Sequence, residues 1–411
     1  MNTFKYLIIG GGVAGTTAAE TLRKNDREGS VAIVSDEPYP LYSRVMLSKP
    51  GFLKGEQPVD NVWLKKSEWY EINKISLFSG LSATHLNVGE KKVTLSDGQE
   101  LQYEKLLLAT GAHARKWPIP GAEKNGVLYM RTLDDTKKIT EKLSSIKHAV
   151  IIGSGFVSFE IADVLCSLHI PTTLVMREKY YSEPLVCEDE GKIIERTLEE
   201  KGVKIIRDME VTEVLGDASV NAVLLKDGSK IECDVVFCMI GVVLPNEWLK
   251  DSGVTINRGV VANEFLETNI PDIWSAGDGT EFKDTVLDEA VIYGNWMNSR
   301  TQGEIAAFNM FGQKKEFRLV SFQTSHGFGN VIGFVGDIRM KPDRFAVCRG
   351  VSGGNTFCRL IIKEDRIMGA TMVNKVNEMG TISKLIQNRT DISALKEQLS
   401  DPNFDLKTLI G

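Results

Sequence analysis

The sequence predicts an α/β fold class, with two βαβ units in tandem followed by a C-terminal α+β domain. Three observations lead there. A glycine-rich turn stands between a strand-like and a helix-like segment twice, at residues 10–15 and 153–158. A second stretch is also duplicated: residues 93–111 (VTLSDGQELQYEKLLLATG) match residues 223–241 (VLLKDGSKIECDVVFCMIG) at a constant offset. Each copy holds an Asp-Gly hairpin turn and then an apolar strand ending in glycine, so the two halves share a fold. Finally, 411 residues are too many for one hydrophobic core.

The elements follow in order. Residues 4–9 are a short apolar run, Gly10-Gly11-Gly12-Val13-Ala14-Gly15 makes the turn, and residues 14–23 suit a helix. Residues 31–35 are β-branched and read as the second strand. The same grammar returns with a strand at 149–152, the turn Gly153-Ser154-Gly155-Phe156-Val157-Ser158, a helix to about residue 167 and a strand at 172–176. A strand at 272–278 ends in Gly277-Asp278, and a long helix is expected over 289–310. Beyond Gly312, strands at 331–335, 345–348 and 357–362 precede one or two amphipathic helices. The expected domains are 1–114 with 244–319, then 115–243, then 320–411.

Apolar residues at 42% and charged residues at 25% describe an ordinary globular protein. The first apolar run lacks the leader and cleavage site of a signal peptide, and no run approaches the roughly 20 apolar residues that span a bilayer. A cytoplasmic location with no membrane contact is expected. The net charge of −6 argues against nucleic acid as a partner. Six cysteines without a C-x-x-C pair give neither a zinc pattern nor a disulfide framework, so no metal site is expected. Cys233 and Cys238 lie in one strand-like run with side chains on opposite faces, and read as small core residues.

Gly10, Gly12 and Gly15 form a G-x-G-x-x-G turn that follows a strand and opens a helix. In that setting the first glycine makes the turn, the second lets backbone approach a pyrophosphate, and the third allows close helix packing. An acid after the next strand would bind ribose hydroxyls; Asp36 and Glu37 stand there, with Asp36 favoured. The second turn, Gly153, Gly155 and Ser158, departs at its third position, where serine is still small. After its second strand, Glu178 suits the ribose of NADH, while Arg177 leaves NADPH open.

Two such sites in tandem, with Ala109-Thr110-Gly111, Gly241 with Pro245-Asn246, and Ser275-Ala276-Gly277-Asp278, resemble the flavoprotein pyridine-nucleotide oxidoreductases over nearly the full chain. The resemblance implies two tandem Rossmann-like dinucleotide-binding domains (three-layer ββα), FAD, and a C-terminal domain that often pairs subunits, which leaves a homodimer open. Residues 36–49 (DEPYPLYSRVMLSK) are similar to the rubredoxin and ferredoxin reductase branch, which includes nitrite-reductase flavoproteins and apoptosis-inducing factor. By resemblance, Arg44, Lys49 and Arg115 contact FAD, Asp278 bonds its ribityl chain, and Trp296 lies near its pyrimidine ring. Lys49 would pair with Glu160, and Phe156 would cover the flavin until a nicotinamide displaces it. The plainer readings, core aromatics at Phe156 and Trp296 and a structural ion pair for Lys49–Glu160, stay open.

Departures narrow the chemistry. Disulfide reductases of this fold carry a C-x-x-x-x-C pair early in the chain, and the peroxidase and coenzyme A-disulfide branch a cysteine where Arg44 stands; neither occurs here. Since those reactions need a thiolate, electrons are expected to leave the flavin directly. The resemblance thus implies an FAD-dependent reductase passing electrons from NADH to a one-electron carrier such as rubredoxin or ferredoxin. An NADH oxidase and a redox-sensing NADH-binding flavoprotein with little turnover are the alternatives. Residues 311–411 hold 15 Lys/Arg against 10 Asp/Glu, and Arg339, Lys341, Arg344 and Arg349 lie close together. They form either a solvated face or a docking surface for a small acidic electron-carrier protein.

Overall fold

The computed structural model describes residues 2–351, 353–395 and 397–410. The chain divides into two compact units, one of Met1–Ser43, Val62–His113 and Val243–Ser321, the other of Arg44–Asn61, Ala114–Val242 and Phe322–Gly411.

In the first unit, strand β1 (Asn2–Ile9) leads through the glycine turn to helix α1 (Val13–Asn25) and strand β2 (Val31–Ser35). All five residues of β2 are buried, as a strand covered on both faces requires. β1 lies between β2 and the strand Glu100–Leu108, parallel to both, with Tyr6 opposite Val31 and Lys105. Ile273–Ser275 pairs parallel with the end of Glu100–Leu108 and brings Gly277 and Asp278 to the same edge as Ala109. On the other side, α1 meets the helix Trp296–Phe311, where a Cβ on Gly303 would lie 2.1 Å from the Ala14 carbonyl oxygen. Only a glycine permits that crossing.

The long helix expected over 289–310 is corrected at its start. Glu289–Val291 is a strand paired with Thr280–Asp284, and the helix begins at Trp296. Asn295 is its N-cap, its side chain accepting the Asn298 N–H at 3.0 Å. The cap, and not the apolar pattern, sets the boundary.

In the second unit, β3 (Ala149–Ile152), α2 (Phe156–Ser167) and β4 (Thr172–Val175) repeat the opening grammar, and helix α3 (Glu188–Glu200) follows. β3 lies between β4 and Val235–Cys238, parallel to both. The duplicated stretch folds alike in both units, with one difference. Glu100–Leu108 is a single strand, whereas its counterpart breaks into Lys230–Glu232 and Val235–Cys238. At the break the Asp234 carboxylate accepts the backbone N–H groups of Lys147 and His148. Cys233 and Cys238 therefore do not share one strand and the alternation expected of them does not apply. Both are nonetheless core residues whose thiols burial pushes up to about 12.

The C-terminal part is an antiparallel sheet in the order Phe322–Gly327, Asn330–Gly336, Arg366–Val373, β6 (Phe357–Lys363), β5 (Phe345–Gly350). Its first strand and Arg366–Val373 escaped the sequence reading. Among the described residues, one helix, Met379–Gln387, and short 3-10 turns complete it. Within the unit the Thr371 hydroxyl donates to Glu190 on α3 at 2.7 Å, and Arg359 donates to the Leu185 carbonyl at 2.6 Å. Among the described residues no helix is long and apolar enough to cross a membrane.

Candidate functional site

At the first turn Gly10 has φ +123°, and a Cβ there would lie 1.9 Å from the Ala109 carbonyl oxygen. A Cβ on Gly15 would lie 2.0 Å from the Gly10 carbonyl oxygen. Gly12 is different: nothing lies within 4 Å of its Cβ position, and as N-cap of α1 it supplies no side-chain bond. The helix thus presents unshielded N–H groups and its positive end to open space, the arrangement that receives a pyrophosphate.

The first unit gathers Gly10, Gly12, Gly15, Asp36, Glu37, Ala109, Thr110, Gly111, Gly277, Asp278 and Trp296. Cβ positions on Gly277 and Gly279 would lie 3.3 Å from Ala14 Cβ and 3.4 Å from the Gly111 carbonyl oxygen, so the three loops meet at the turn. Asp278 accepts a bond from the Ser299 hydroxyl at 3.0 Å. Asp36 lies 3.0 Å from His113 Nε2, and Glu37 accepts the Tyr42 hydroxyl at 2.6 Å. Trp296 is half exposed, with the Arg300 guanidinium 5.9 Å from its ring centre. The sequence reading did not foresee His113 or Ser299, because nothing in either residue's neighbourhood signals a partner far along the chain.

The second unit holds Arg44, Lys49, Arg115, Gly153, Gly155, Phe156, Ser158, Glu160 and Glu178. Gly153 has φ +99° with the Met239 carbonyl oxygen 2.6 Å from its Cβ position, and Gly155 caps α2 and again faces open space. Ser158 is fully buried and its hydroxyl has no bonding partner among the described residues. Ser154 donates to Glu178 at 3.2 Å, just beyond β4. Arg177, Glu178, Glu183, Pro184 and Glu210 line an open hollow of about 490 Å³.

Lys49 and Glu160 do form a pair, at 2.6 Å. Glu160 is buried, and its second oxygen receives the Ser48 hydroxyl while Ser325 donates to the first at 3.1 Å. Three donors thus converge on one buried carboxylate, which fixes the Lys49 ammonium. Ser48 and Ser325 were not anticipated. Arg44 donates to the Arg131 carbonyl at 2.9 Å, and Arg115 to the Val242 carbonyl at 3.2 Å. Phe156 packs on Phe334 with ring centres 4.7 Å apart, so it has a packing partner of its own.

The reading of Arg344 and Arg349 as part of an exposed basic face is corrected. Arg344 is wholly buried and lies 3.0 Å from Asp337, which Arg339 also binds at 2.7 Å. Burial alone would raise the Asp337 carboxyl, but the bond and charges of these two arginines hold it below its ordinary value. Arg349 is buried too, donating to the carbonyls of Leu399 and Phe404 at 2.8 Å and pairing with Glu378. These guanidiniums staple the sheet to the chain around it, because a buried charge must find acceptors.

Comparison with known proteins agrees with this geometry. The pyridine nucleotide-disulphide oxidoreductase profile matches residues 4–303, and a reductase C-terminal profile matches residues 325–410. The biphenyl dioxygenase system ferredoxin–NAD(+) reductase component of Paraburkholderia xenovorans is 29% identical over 98% of this chain and 97% of its own length. Nitrite reductase [NAD(P)H] of Bacillus subtilis is 28% identical over 96% of this chain, which spans only 48% of that protein. Among solved structures, the covalent putidaredoxin reductase–putidaredoxin complex superposes with a TM-score of 0.92 at 26% identity, covering 100% of this chain and 98% of that one. A ferredoxin reductase from Rhodopseudomonas palustris gives 0.90 at 25% identity, with both chains covered in full.

Proposed function

Because the chain belongs to the pyridine nucleotide-disulphide oxidoreductase family, we propose that it is an FAD-dependent reductase that takes hydride from NADH and passes single electrons to a small carrier protein. The observation that carries this reading is the pair of open helix N-termini at Gly12 and Gly155, one in each unit, each behind a glycine turn. One such site binds one dinucleotide; two provide for a donor and a resident flavin. The names of the full-length relatives point to iron–sulfur carriers as the acceptor class.

Residues 1–114 and 244–319 would hold FAD, with its pyrophosphate at Gly12, ribose hydroxyls at Asp36 and Glu37, and the ribityl chain at Asp278. Arg44, Lys49, Arg115 and Trp296 would complete the site, over which Phe156 is the displaceable aromatic. When bound, FAD supplies the exchange between a two-electron donor and one-electron acceptors. Residues 115–243 would hold the nicotinamide dinucleotide, at Gly153, Gly155, Ser158 and Glu178. Three glutamates and one arginine line the hollow beyond β4, a balance that favours the 2′-hydroxyl of NADH and repels the additional phosphate of NADPH. Glu160, Ser48 and Ser325 hold the Lys49 ammonium in one place, a fixed positive charge that would stabilise the negative charge of a reduced flavin. Residues 320–411 form the remaining domain, and the protein acts in the cytoplasm.

The test is an anaerobic titration of the yellow protein with NADH, followed by addition of an oxidised iron–sulfur carrier. Bleaching near 450 nm by one equivalent of NADH, and recovery of the band on adding carrier, is the expected result. A spectrum unchanged by NADH and NADPH overturns the reading, while rapid recovery with oxygen alone replaces the carrier by a small acceptor.

A further inference from the structure

Where the strand Ile273–Ser275 ends, the Ala276 N–H still bonds the Leu108 carbonyl at 3.0 Å, and the chain then turns. Gly277 takes φ +94°, its carbonyl accepts the Thr280 N–H at 3.0 Å, and the Ser275 and Thr280 hydroxyls bond at 2.6 Å. Asp278 is the second residue of that turn. Two side chains of the helix Trp296–Phe311 reach it. Gln302 Oε1 accepts the Gly277 N–H at 2.7 Å, and Ser299, one turn earlier, donates its hydroxyl to Asp278 Oδ1 at 3.0 Å.

Packing alone does not account for this pair. Both side chains are buried, and the Gln302 nitrogen has no bonding partner among the described residues. A buried amide bonded at one end costs stability that an apolar side chain in the same space would not. What Gln302 provides and an apolar residue cannot is the acceptor for Gly277. The helix that carries the pair is itself fixed. Asn295 and Asn298 both donate to the Ser321 hydroxyl, at 2.8 and 3.1 Å. At Gly303 the helix lies against Ala14 in the first turn of α1, and a Cβ on Gly277 would lie 3.3 Å from the Ala14 Cβ. One element therefore meets both the start of α1 and the Gly277–Asp278 turn.

We propose that Ser299 and Gln302 are positioning residues that set where Asp278 stands relative to the N-terminus of α1, and so govern how tightly FAD is held. The proposal rests on the reading of Asp278 as the contact for the ribityl chain and of the α1 N-terminus as the contact for the pyrophosphate. Gln302 fixes the backbone of the turn and Ser299 fixes the carboxylate. Both act through Asp278, not on the dinucleotide itself. A ligand that spans two contact points binds more tightly when their separation is set beforehand, because less freedom is lost on binding.

The test follows FAD release from the full-length yellow protein, read as the rise in free-flavin fluorescence after dilution. Each variant is first loaded with excess FAD, so that all start from the same state. Ser299→Ala should release FAD roughly threefold to tenfold faster, the range for one hydrogen bond. Gln302→Met should act more strongly, roughly tenfold to a hundredfold, because it leaves the buried Gly277 N–H unpaired. If Gln302→Met does not fold, the Ser299 variants decide the matter.

A double variant separates positioning from bulk stability. In an Asp278→Ala background, removing the Ser299 hydroxyl should change the release rate by less than about twofold, since the group it acts through is gone, whereas a merely structural role would add its full effect there. Release unchanged by Asp278→Ala would overturn the reading of Asp278 as an FAD contact, and this proposal with it. Faster release from Asp278→Ala together with an unaltered rate from Ser299→Ala, or full additivity of the two, would overturn this proposal alone.

Discussion

The two glycine turns look alike in sequence but are held in shape by different means. At Gly10 the turn is enforced by backbone: the Ala109 carbonyl presses on it, the Gly10 carbonyl presses on Gly15, and the helix Trp296–Phe311 crosses α1 at Gly303. At Gly153 only the Met239 carbonyl approaches closely, and the clearance is larger. There the residues after β4 do the holding, Tyr181 donating to the Gly155 carbonyl at 2.9 Å and Ser182 to the Ser154 carbonyl at 2.6 Å. This explains why the third glycine is needed at position 15 and dispensable at position 158. Steric packing tolerates no added atom, whereas hydrogen bonds from one side leave room for a serine.

The largest effect should come from adding one methyl to each turn. Gly10→Ala costs roughly 1–3 kcal/mol for its positive φ alone, with a backbone clash in addition, and should give a nearly colourless protein. Gly153→Ala should stay yellow and raise the KM for NADH about tenfold, a loss near 1.4 kcal/mol. Retained flavin and steady-state kinetics distinguish them, and the reverse pattern would break the comparison.

Next come the hydrogen bonds that only the second turn has. Tyr181→Phe and Ser182→Ala should each weaken NADH binding several-fold, in keeping with about 0.5–1.5 kcal/mol per bond, while the flavin content stays unchanged. A loss of flavin in either would show that the two turns are not independently supported.

Ser158→Ala should be close to neutral. Its hydroxyl is buried without a partner among the described residues, so removing it leaves nothing unsatisfied and adds up to about 1 kcal/mol of stability. Chemical denaturation measures this. A loss of more than about 1 kcal/mol would mean that the hydroxyl binds something, the nicotinamide dinucleotide being the first candidate to test.

The smallest expected effect is a pH dependence confined to the first helix. α1 closes at Asp26, which bonds Lys5 at 2.7 Å and the Gly29 N–H at 2.8 Å, whereas α2 closes on backbone bonds and the Ser167 hydroxyl, with no charged group among them. The Lys5 bond leads in lowering the Asp26 carboxyl from 3.8 to about 2. A depressed folded-state value means the contribution is complete above the unfolded value and disappears as the pH falls from about 4 toward 2. Asp26→Asn should flatten the acid limb of the stability curve by less than about 1 kcal/mol, since the Lys5 partner is exposed. An unchanged limb would assign acid sensitivity elsewhere, to Asp337 first.

What could be read in the residues alone is what short-range sterics and periodicity impose. The first glycine of each turn has a positive φ that a side chain resists, apolar β-branched runs mark β1 to β4, and the Asp-Gly turns register the duplicated stretch. Those constraints act within a few residues, so the sequence states them directly, and the two glycine turns with Asp36 and Glu178 beside them were legible, whereas Asp278 came from resemblance. Lys49 with Glu160 came from resemblance, not from spacing. The remainder was decided by which strand lies next to which. Ser48 and Ser325 reach Glu160 from far along the chain and His113 finds Asp36, both through contacts that no local pattern encodes. The same physics reversed the reading of Arg344 and Arg349. Charge is a property of the residue, but whether that charge meets water or a buried Asp337 is a property of the tertiary fold.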